Sequence, residues 1–121
     1  MKRSSSAVAA AAVLVALLAA AAAVAPPAGY TKKEDENSEF ARQVSKFAVT
    51  MYGLGHMVRM YYVTTWQCWS QPAGGGANYY WSLLAATNSS GAKGNYECIV
   101  WGIPGSESKT WKLLSFNKAN Y

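Results

Sequence analysis

Apolar side chains recur at helical spacing near the middle of the 121-residue chain. Successive members are separated by four, three, one and three positions, which places them on one face of a helix about four turns long. These members are Phe40, Val44, Phe47, Ala48 and Met51. Asn37 or Ser38 can cap the start of this helix, and Gly53 and Gly55 predict its end.

After Gly55 the pattern changes to that of β-strands, with runs rich in aromatic and β-branched residues. The runs cover residues 57–69, 78–87, 96–103 and 110–116, and turn-forming residues separate them. Four strands joined by short turns build an antiparallel sheet, against which the helix must bury its apolar face. The predicted fold is therefore α+β, with the sheet wrapped around one helix.

The first 25 residues have the pattern of a secretory signal peptide. A basic start, Met1 to Arg3, precedes a run of Ala, Val and Leu, and Ala23 and Ala25 supply a small-residue cleavage pattern. The alternative is a membrane anchor, because about 18 apolar residues barely suffice to span a bilayer. The weak hydrophobicity of alanine favours cleavage. The remaining chain then divides into a mobile N-terminal arm (26–37), a domain (38–117) and a tail (118–121).

The net charge of +5 is a poor guide to partners, because two of the basic residues, Lys2 and Arg3, lie in the predicted leader. The other basic residues are scattered along the chain, which is typical of a solvated surface rather than of a nucleic-acid-binding face. The aromatic residues of the strands fit a sheet and its core better than the alternative, a stacking surface for sugars or bases. They are Trp66, Trp69, Tyr79, Tyr80, Trp81 and Trp101.

Two cysteines in a secreted chain suggest one disulfide by number alone. However, Cys68 lies in the first predicted strand and Cys98 in the third. Two strand spacings amount to roughly 9–10 Å, beyond the roughly 7 Å that a disulfide can bridge. We therefore expect two free, buried thiols.

No set of residues predicts an enzyme. His56 has no evident catalytic partner, and one histidine with two separated cysteines lacks the spacing of a zinc site. We expect no metal and no cofactor. Asn88-Ser89-Ser90 is an N-glycosylation sequon in a predicted exposed turn, so Asn88 is a candidate modification site.

Three local motifs, taken in order, resemble the plant cystatin family of cysteine protease inhibitors. Residues 44–49 (Val-Ser-Lys-Phe-Ala-Val) are similar to the family's Leu-Ala-Arg-Phe-Ala-Val helix and differ at Ser45. Residues 76–80 (Gly-Ala-Asn-Tyr-Tyr) and 96–101 (Tyr-Glu-Cys-Ile-Val-Trp) are similar to two of its strands. The resemblance extends from about Gly29 to Asn117. It implies a cystatin-like fold, one helix wrapped by a four- to five-stranded antiparallel sheet.

The resemblance also implies a function. Family members block the cleft of papain-like proteases with a wedge made of an N-terminal glycine segment, a Gln-x-Val-x-Gly loop and a Pro-Trp loop. Gly29 stands at the first of these surfaces. Gln71, Pro72, Ala73, Gly74 and Gly75 stand at the second, and Pro104 and Gly105 at the third. The implied partner is a papain-like cysteine protease, without nucleic acid and without a membrane after signal cleavage. The implied location is the extracellular space, with the vacuole as an alternative.

Both predicted loops depart from the family pattern. Pro72-Ala73-Gly74-Gly75 replaces Val-Val-Ala-Gly, and Gly105 replaces the tryptophan of the second loop. Loss of a buried aromatic anchor commonly weakens binding by about 2 kcal/mol, or roughly 30-fold. Two functions follow: a weakened, secreted protease inhibitor active in plant defence, or a cystatin-like binding or structural module without inhibitory activity.

Overall fold

The computed structural model describes residues 25–104 and 110–119. Strand β1 (Lys32–Glu34) is followed by one helix, α1 (Glu39–His56), and four further strands. These strands are β2 (Met60–Gly74), β3 (Ala77–Asn88), β4 (Lys93–Gly102) and β5 (Lys112–Lys118). The signal-peptide prediction, apart from Ala25, lies outside the described residues, as do Gly105 and the end of the predicted tail.

The five strands form one antiparallel sheet in the order β1-β2-β3-β4-β5, so every strand pairs with its neighbour in sequence. One helix packed on this sheet is the predicted α+β, cystatin-like fold, which is confirmed. The sheet has one strand more than the four that the sequence pattern predicts. This additional strand is β1, which lies in the segment predicted to be a mobile arm. Its three residues pair with Cys68, Trp69 and Ser70 of β2.

The helix is longer than predicted. Ser38 caps it, because its hydroxyl accepts a hydrogen bond from the Ala41 amide. The prediction that Gly53 and Gly55 end the helix is wrong, since it continues to His56 and Met57 adopts the left-handed cap conformation with φ 54°. Gly53 instead permits close packing: a Cβ atom there would lie 2.8 Å from the Val58 carbonyl oxygen.

The main core lies between α1 and the face of the sheet that the helix covers. Val44 and Ala48 are fully buried there, with Phe40 and Phe47 packed at its margin. Trp111 is also buried and stacks edge-on against both phenylalanines, with ring centroids 5.6 and 5.5 Å apart. The prediction for Met51 is wrong, because 42% of its surface is exposed near the last turns of the helix.

A chain of hydroxyl groups crosses this core. Thr65 Oγ1 donates to Ser45 Oγ at 2.7 Å, and Ser45 in turn hydrogen-bonds Ser82. Tyr62 completes the chain with a 2.8 Å bond to Thr65. Ser45, the residue that departs from the helix motif, therefore links α1 to two strands, and its buried polar atom is satisfied.

The prediction for the cysteines is confirmed. Cys68 pairs in register with Ser82, and Ser82 pairs with Cys98, so one whole strand separates the two thiols. Both cysteines are free and buried. Burial raises the pKa of both thiols, that of Cys98 to about 12. Protonated thiols are poor nucleophiles, so burial keeps both cysteines in an unreactive form in the folded protein.

The strand aromatics divide between the two faces of the sheet. Tyr80 belongs to the core beneath α1, whereas Trp81 is buried in a second cluster with Leu83 and Tyr30. Trp69 and Tyr79 pack at the margin of this second cluster. Trp66, in contrast, is 47% exposed, and its indole Nε1 donates to Asn95 Oδ1.

Candidate functional site

The tip of the β2–β3 hairpin is a two-residue turn made of Gly75 and Gly76. Their φ values are 60° and 83°, and Gly74 and Ala77 pair across the turn. Two successive positive φ values are those of a type I′ turn, which residues with a Cβ rarely adopt. No atom comes within 4 Å of a Cβ position built on either glycine, so the tip is narrow and open to its surroundings.

Most of the predicted first loop is in fact strand. β2 continues through Gln71, Pro72 and Ala73 to Gly74, so only Gly75 and Gly76 turn the chain. The register shifts between Pro72 and Gly74, which leaves Ala73 in a bulge. Pro72 itself pairs with Asn78, next to the bulge and beyond Ser70, the last residue of β2 that pairs with β1, and proline is tolerated at bulges and where one side of a strand is unpaired.

Gly29 lies against the flank of this hairpin. The Tyr30 amide donates to the Pro27 carbonyl at 3.3 Å, and Gly29 has φ 95°, close to the value that the third position of a type II turn requires. A Cβ atom at position 29 would lie 2.6 Å from Gln71 Oε1. The turn therefore brings the backbone of Gly29 into contact with the Gln71 side chain.

Tyr30 fixes the same segment to the sheet, although sequence reasoning missed it. Its side chain is buried and hydrogen-bonds Gln71, and burial raises its pKa. The phenol therefore remains neutral at physiological pH. The signal that could have identified it is a single aromatic residue beside a glycine in an otherwise polar arm, because such a residue needs a place to bury its ring.

Pro104 lies at the same end of the sheet. β4 ends at Gly102, which pairs with Asn78, one residue from the start of β3 at the hairpin tip. Ile103 and Pro104 follow as exposed residues. Ile103 is a second residue that the sequence analysis missed. Gly105 lies outside the described residues, so the structure describes only the first part of the predicted second loop.

We call these three segments the wedge edge, defined as residues 28–30, 71–77 and 103–104. None of these residues is charged, and the sequence contains no acidic or basic residue from Ser70 to Ala92. The wedge edge presents few apolar side chains, and most of them are small. Ala28, Pro72, Ile103 and Pro104 are exposed, and Ala73 is half-buried. Its described residues can make backbone and modest apolar contacts and carry no charge.

Trp111 does not contribute to the wedge edge. It precedes β5, although the sequence pattern predicts a strand over residues 110–116, and it is buried in the main core. A Cβ atom at position 102 would lie 2.8 Å from Trp111 Cδ1, so Gly102 allows the indole to pack directly on β4. Buried in the core, Trp111 cannot replace the missing loop tryptophan.

No alternative chemistry is evident elsewhere in the described residues. Within residues 25–104 and 110–119, no group of three or more His, Cys, Asp or Glu side chains could hold a metal ion. His56 stacks on Tyr52 and its Nδ1 hydrogen-bonds the Tyr52 carbonyl at the helix end. The same described residues contain no helix that is both long and apolar enough to span a membrane.

Comparison with known proteins adds no identity. No family profile matches the chain, and no curated protein matches it either. The features that point to a function are therefore the motifs of the sequence and the geometry of the wedge edge.

Proposed function

We propose that this protein is a secreted, reversible inhibitor of papain-like cysteine proteases, related to the plant cystatins, that acts by occluding the protease cleft. The observation that carries the proposal is the gathering of three separate, uncharged segments at one end of the sheet, with Gly29 packed against Gln71. These are the segments that the family resemblance assigns to inhibition.

The proposed mechanism is steric and requires no bond to be made or broken. A two-stranded hairpin is narrow at its tip, since its strands lie roughly 4.8 Å apart. Gly75 and Gly76 add no side chains to that width, so the tip can enter a deep groove. Gly29 and Pro104 then contact the walls on either side, and substrate is excluded while the wedge edge remains bound.

The composition of the tip sets the strength of this interaction. Full burial of one valine side chain contributes roughly 1.5–3 kcal/mol, and the two valines of the family loop are replaced here by Pro72 and Ala73. We therefore expect inhibition weaker by one or more orders of magnitude than that of an inhibitor with a valine-rich loop.

One observation favours the second candidate, a cystatin-like binding or structural module. The hairpin tip is formed by glycines with open space around them and offers no apolar anchor of its own. Binding surfaces usually depend on a few large buried side chains. In this alternative the fold is retained, and the wedge edge has lost its inhibitory contacts.

Inhibition of papain by the secreted protein tests the proposal. We expect competitive inhibition that weakens in Gln71→Ala and in Pro104→Ala. Lys118→Ala is the matched control, because Lys118 is exposed and pairs with Tyr96 of β4, six residues from Gly102. Absence of inhibition at about 50 µM protein, equivalent to binding weaker than roughly 6 kcal/mol, would rule out the inhibitor and favour the module.

A further inference from the structure

An exposed apolar patch lies where α1 ends and β2 begins. We call it the distal patch and define it as Leu54, Met57, Val58 and Tyr61, which are 70%, 93%, 48% and 52% exposed. Leu54, Val58 and Tyr61 line one shallow groove together with Met60 and Arg59. A contiguous group of this kind is unfavourable in water unless something covers it.

Asn88 lies beside this patch. It is the last residue of β3, and it pairs in register with Met60 in the groove. The neighbouring pair is Thr87 with Tyr61. Partners across an antiparallel ladder have Cα atoms roughly 4.5–5.5 Å apart. A group attached to Asn88 therefore begins one strand spacing from the groove.

The Asn88 side chain is held by its oxygen. Oδ1 accepts hydrogen bonds from the Ser90 amide at 3.0 Å, the Ser90 hydroxyl at 2.7 Å and the Ala92 amide at 3.0 Å. These bonds close the β3–β4 turn. Nδ2, the atom to which an N-linked sugar attaches, takes no part in them. Asn88 and the next two residues are exposed, so the turn has room for a large substituent.

We propose that Asn88 carries an N-linked glycan whose first sugars cover the distal patch. Asn88-Ser89-Ser90 is the one Asn-x-Ser/Thr triplet in the sequence. The modification rests on the secretion that forms part of the proposed function, but not on protease inhibition. N-linked sugars are bulky and solubilising, and their carbon-bound hydrogens pack on aromatic and aliphatic side chains such as Tyr61 and Val58.

The chemistry is a group transfer in the eukaryotic secretory pathway. The donor is a lipid-linked diphosphate oligosaccharide. A bond forms between Asn88 Nδ2 and C1 of its first N-acetylglucosamine, the bond from C1 to the diphosphate oxygen breaks, and the amide loses one proton. The lipid diphosphate leaves with the bonding electron pair.

The position of the glycan is compatible with inhibition. Asn88 ends β3, whereas Ala77 at the hairpin tip begins it, so the strand length of 12 residues separates them. At roughly 3.3 Å per residue this distance is more than 30 Å. A glycan on Asn88 therefore leaves the wedge edge open.

The first experiment is expression of the full chain in cultured mammalian cells, with intact-mass analysis of the secreted protein. We expect a mass increase that peptide N-glycosidase removes, converting the Asn88 side chain to a carboxylate. Asn88→Gln and Ser90→Ala should abolish the increase. Asn37→Gln, an exposed asparagine outside any sequon, should retain it. In a second form of the protein, residues 1–25 are replaced by a leader known to direct secretion. Comparison of the two forms separates glycosylation of Asn88 from the ability of the native leader to direct secretion.

Each outcome decides the proposal. Secreted protein without added mass, in either form, overturns the glycan. If only the replaced-leader form is secreted and glycosylated, glycosylation of Asn88 is supported, and the prediction that residues 1–25 direct secretion is refuted. Papain inhibition measured on the same material reports on the proposed function independently.

Coverage of the distal patch has its own measurement. Enzymatic removal of the glycan should raise the fluorescence of a hydrophobic dye by about twofold, because apolar area becomes accessible. Leu54→Gln should reduce this rise. Leu114→Gln, at a residue of β5 that is 51% exposed, is the matched control and should leave it unchanged. A glycosylated protein whose dye binding does not change on deglycosylation would refute coverage of the patch.

Discussion

The backbone of Gly29 packs directly on the side chain of Gln71. A Cβ atom at position 29 would lie 2.6 Å from Gln71 Oε1 and 3.2 Å from Nε2. The contact joins two segments that are 42 positions apart in the sequence and that the family resemblance assigns to the same inhibitory surface. Gly29 also has φ 95°, a backbone conformation that favours glycine, and a Cβ atom there would have to move the end of the Gln71 side chain.

Gly29→Ala should therefore weaken papain inhibition by about tenfold, because a non-glycine residue in this conformation costs about 1–2 kcal/mol. The new Cβ must also displace Gln71 or the arm. Inhibition constants measure the effect, and thermal unfolding shows whether the domain is intact. Gly55→Ala is the control, since nothing lies within 4 Å of a Cβ there. Equal inhibition by Gly29→Ala and the unmodified protein would show that the arm makes no protease contact.

Ala73→Val should strengthen inhibition. The bulge at the hairpin tip holds Ala73 half-buried, and valine adds two methyl groups to the surface that meets the protease. About 0.8 kcal/mol for each added carbon predicts binding about tenfold tighter. Ala92→Val, in the exposed turn at the other end of β3, is the control and should have no effect. If both variants inhibit equally, the hairpin tip does not enter the cleft.

Substitutions at Gly75 should distinguish a residue that a type I′ turn tolerates from one that it does not. Gly75→Asn should retain nearly full stability, because asparagine adopts positive φ more readily than other residues with a Cβ. Gly75→Val should lower stability by about 1–2 kcal/mol, or Tm by roughly 4–15 °C in a domain of this size. Calorimetry of both variants measures the difference. Equal melting temperatures would contradict the turn geometry, in which Gly75 has φ 60°.

Ser45→Ala should destabilise the fold by about 1–3 kcal/mol, because it leaves the buried hydroxyl of Ser82 without its Ser45 partner and removes the acceptor of the Thr65 bond. The double variant Ser45→Ala/Ser82→Ala should cost less than the sum of the two single variants. Urea unfolding of all four proteins gives this coupling. Strict additivity would mean that the two hydroxyls do not depend on each other.

The buried thiols should be unreactive in the folded protein and should lower its stability at high pH. Cys98 has its pKa raised from 9.0 to about 12 by burial, so it stays protonated in the native state where the unfolded chain ionises. The unfolded state then binds fewer protons, and the free energy of unfolding falls as pH rises from about 9 toward 12. Both cysteines should react with a thiol reagent at pH 8 only after denaturation. Rapid reaction of either thiol in the native protein would contradict its burial.

The local sequence pattern was sufficient to predict where the helix starts and the number and order of the four main strands of the sheet. Ser38 has a capping side chain, and alternating aromatic runs bounded by turn residues specify strands independently of distant contacts. The end of the helix could not be predicted in this way. Gly53 resembles a helix terminator in the sequence, yet it is helical, and the Val58 carbonyl oxygen lies where a Cβ atom at position 53 would clash with it. Likewise, the sequence alone gives no reason why Ser45 differs from the helix motif. In the structure, its hydroxyl hydrogen-bonds Ser82 and Thr65.

For the candidate site, the sequence by itself determined which residues are available. They are Gly29, Gln71, Gly74, Gly75, Gly76 and Pro104. The sequence also places no charged residue between Ser70 and Ala92, the segment that contains the hairpin tip. It also determined that the loops lack the large apolar anchors of the resembled family, because that is a matter of composition. Only the tertiary structure decided that Gly29 contacts Gln71, that Tyr30 holds the arm, and that Asn88 borders the distal patch. The reason is physical: these relationships depend on strand register and on close approach of the backbone, which long-range packing sets and short-range pattern does not encode.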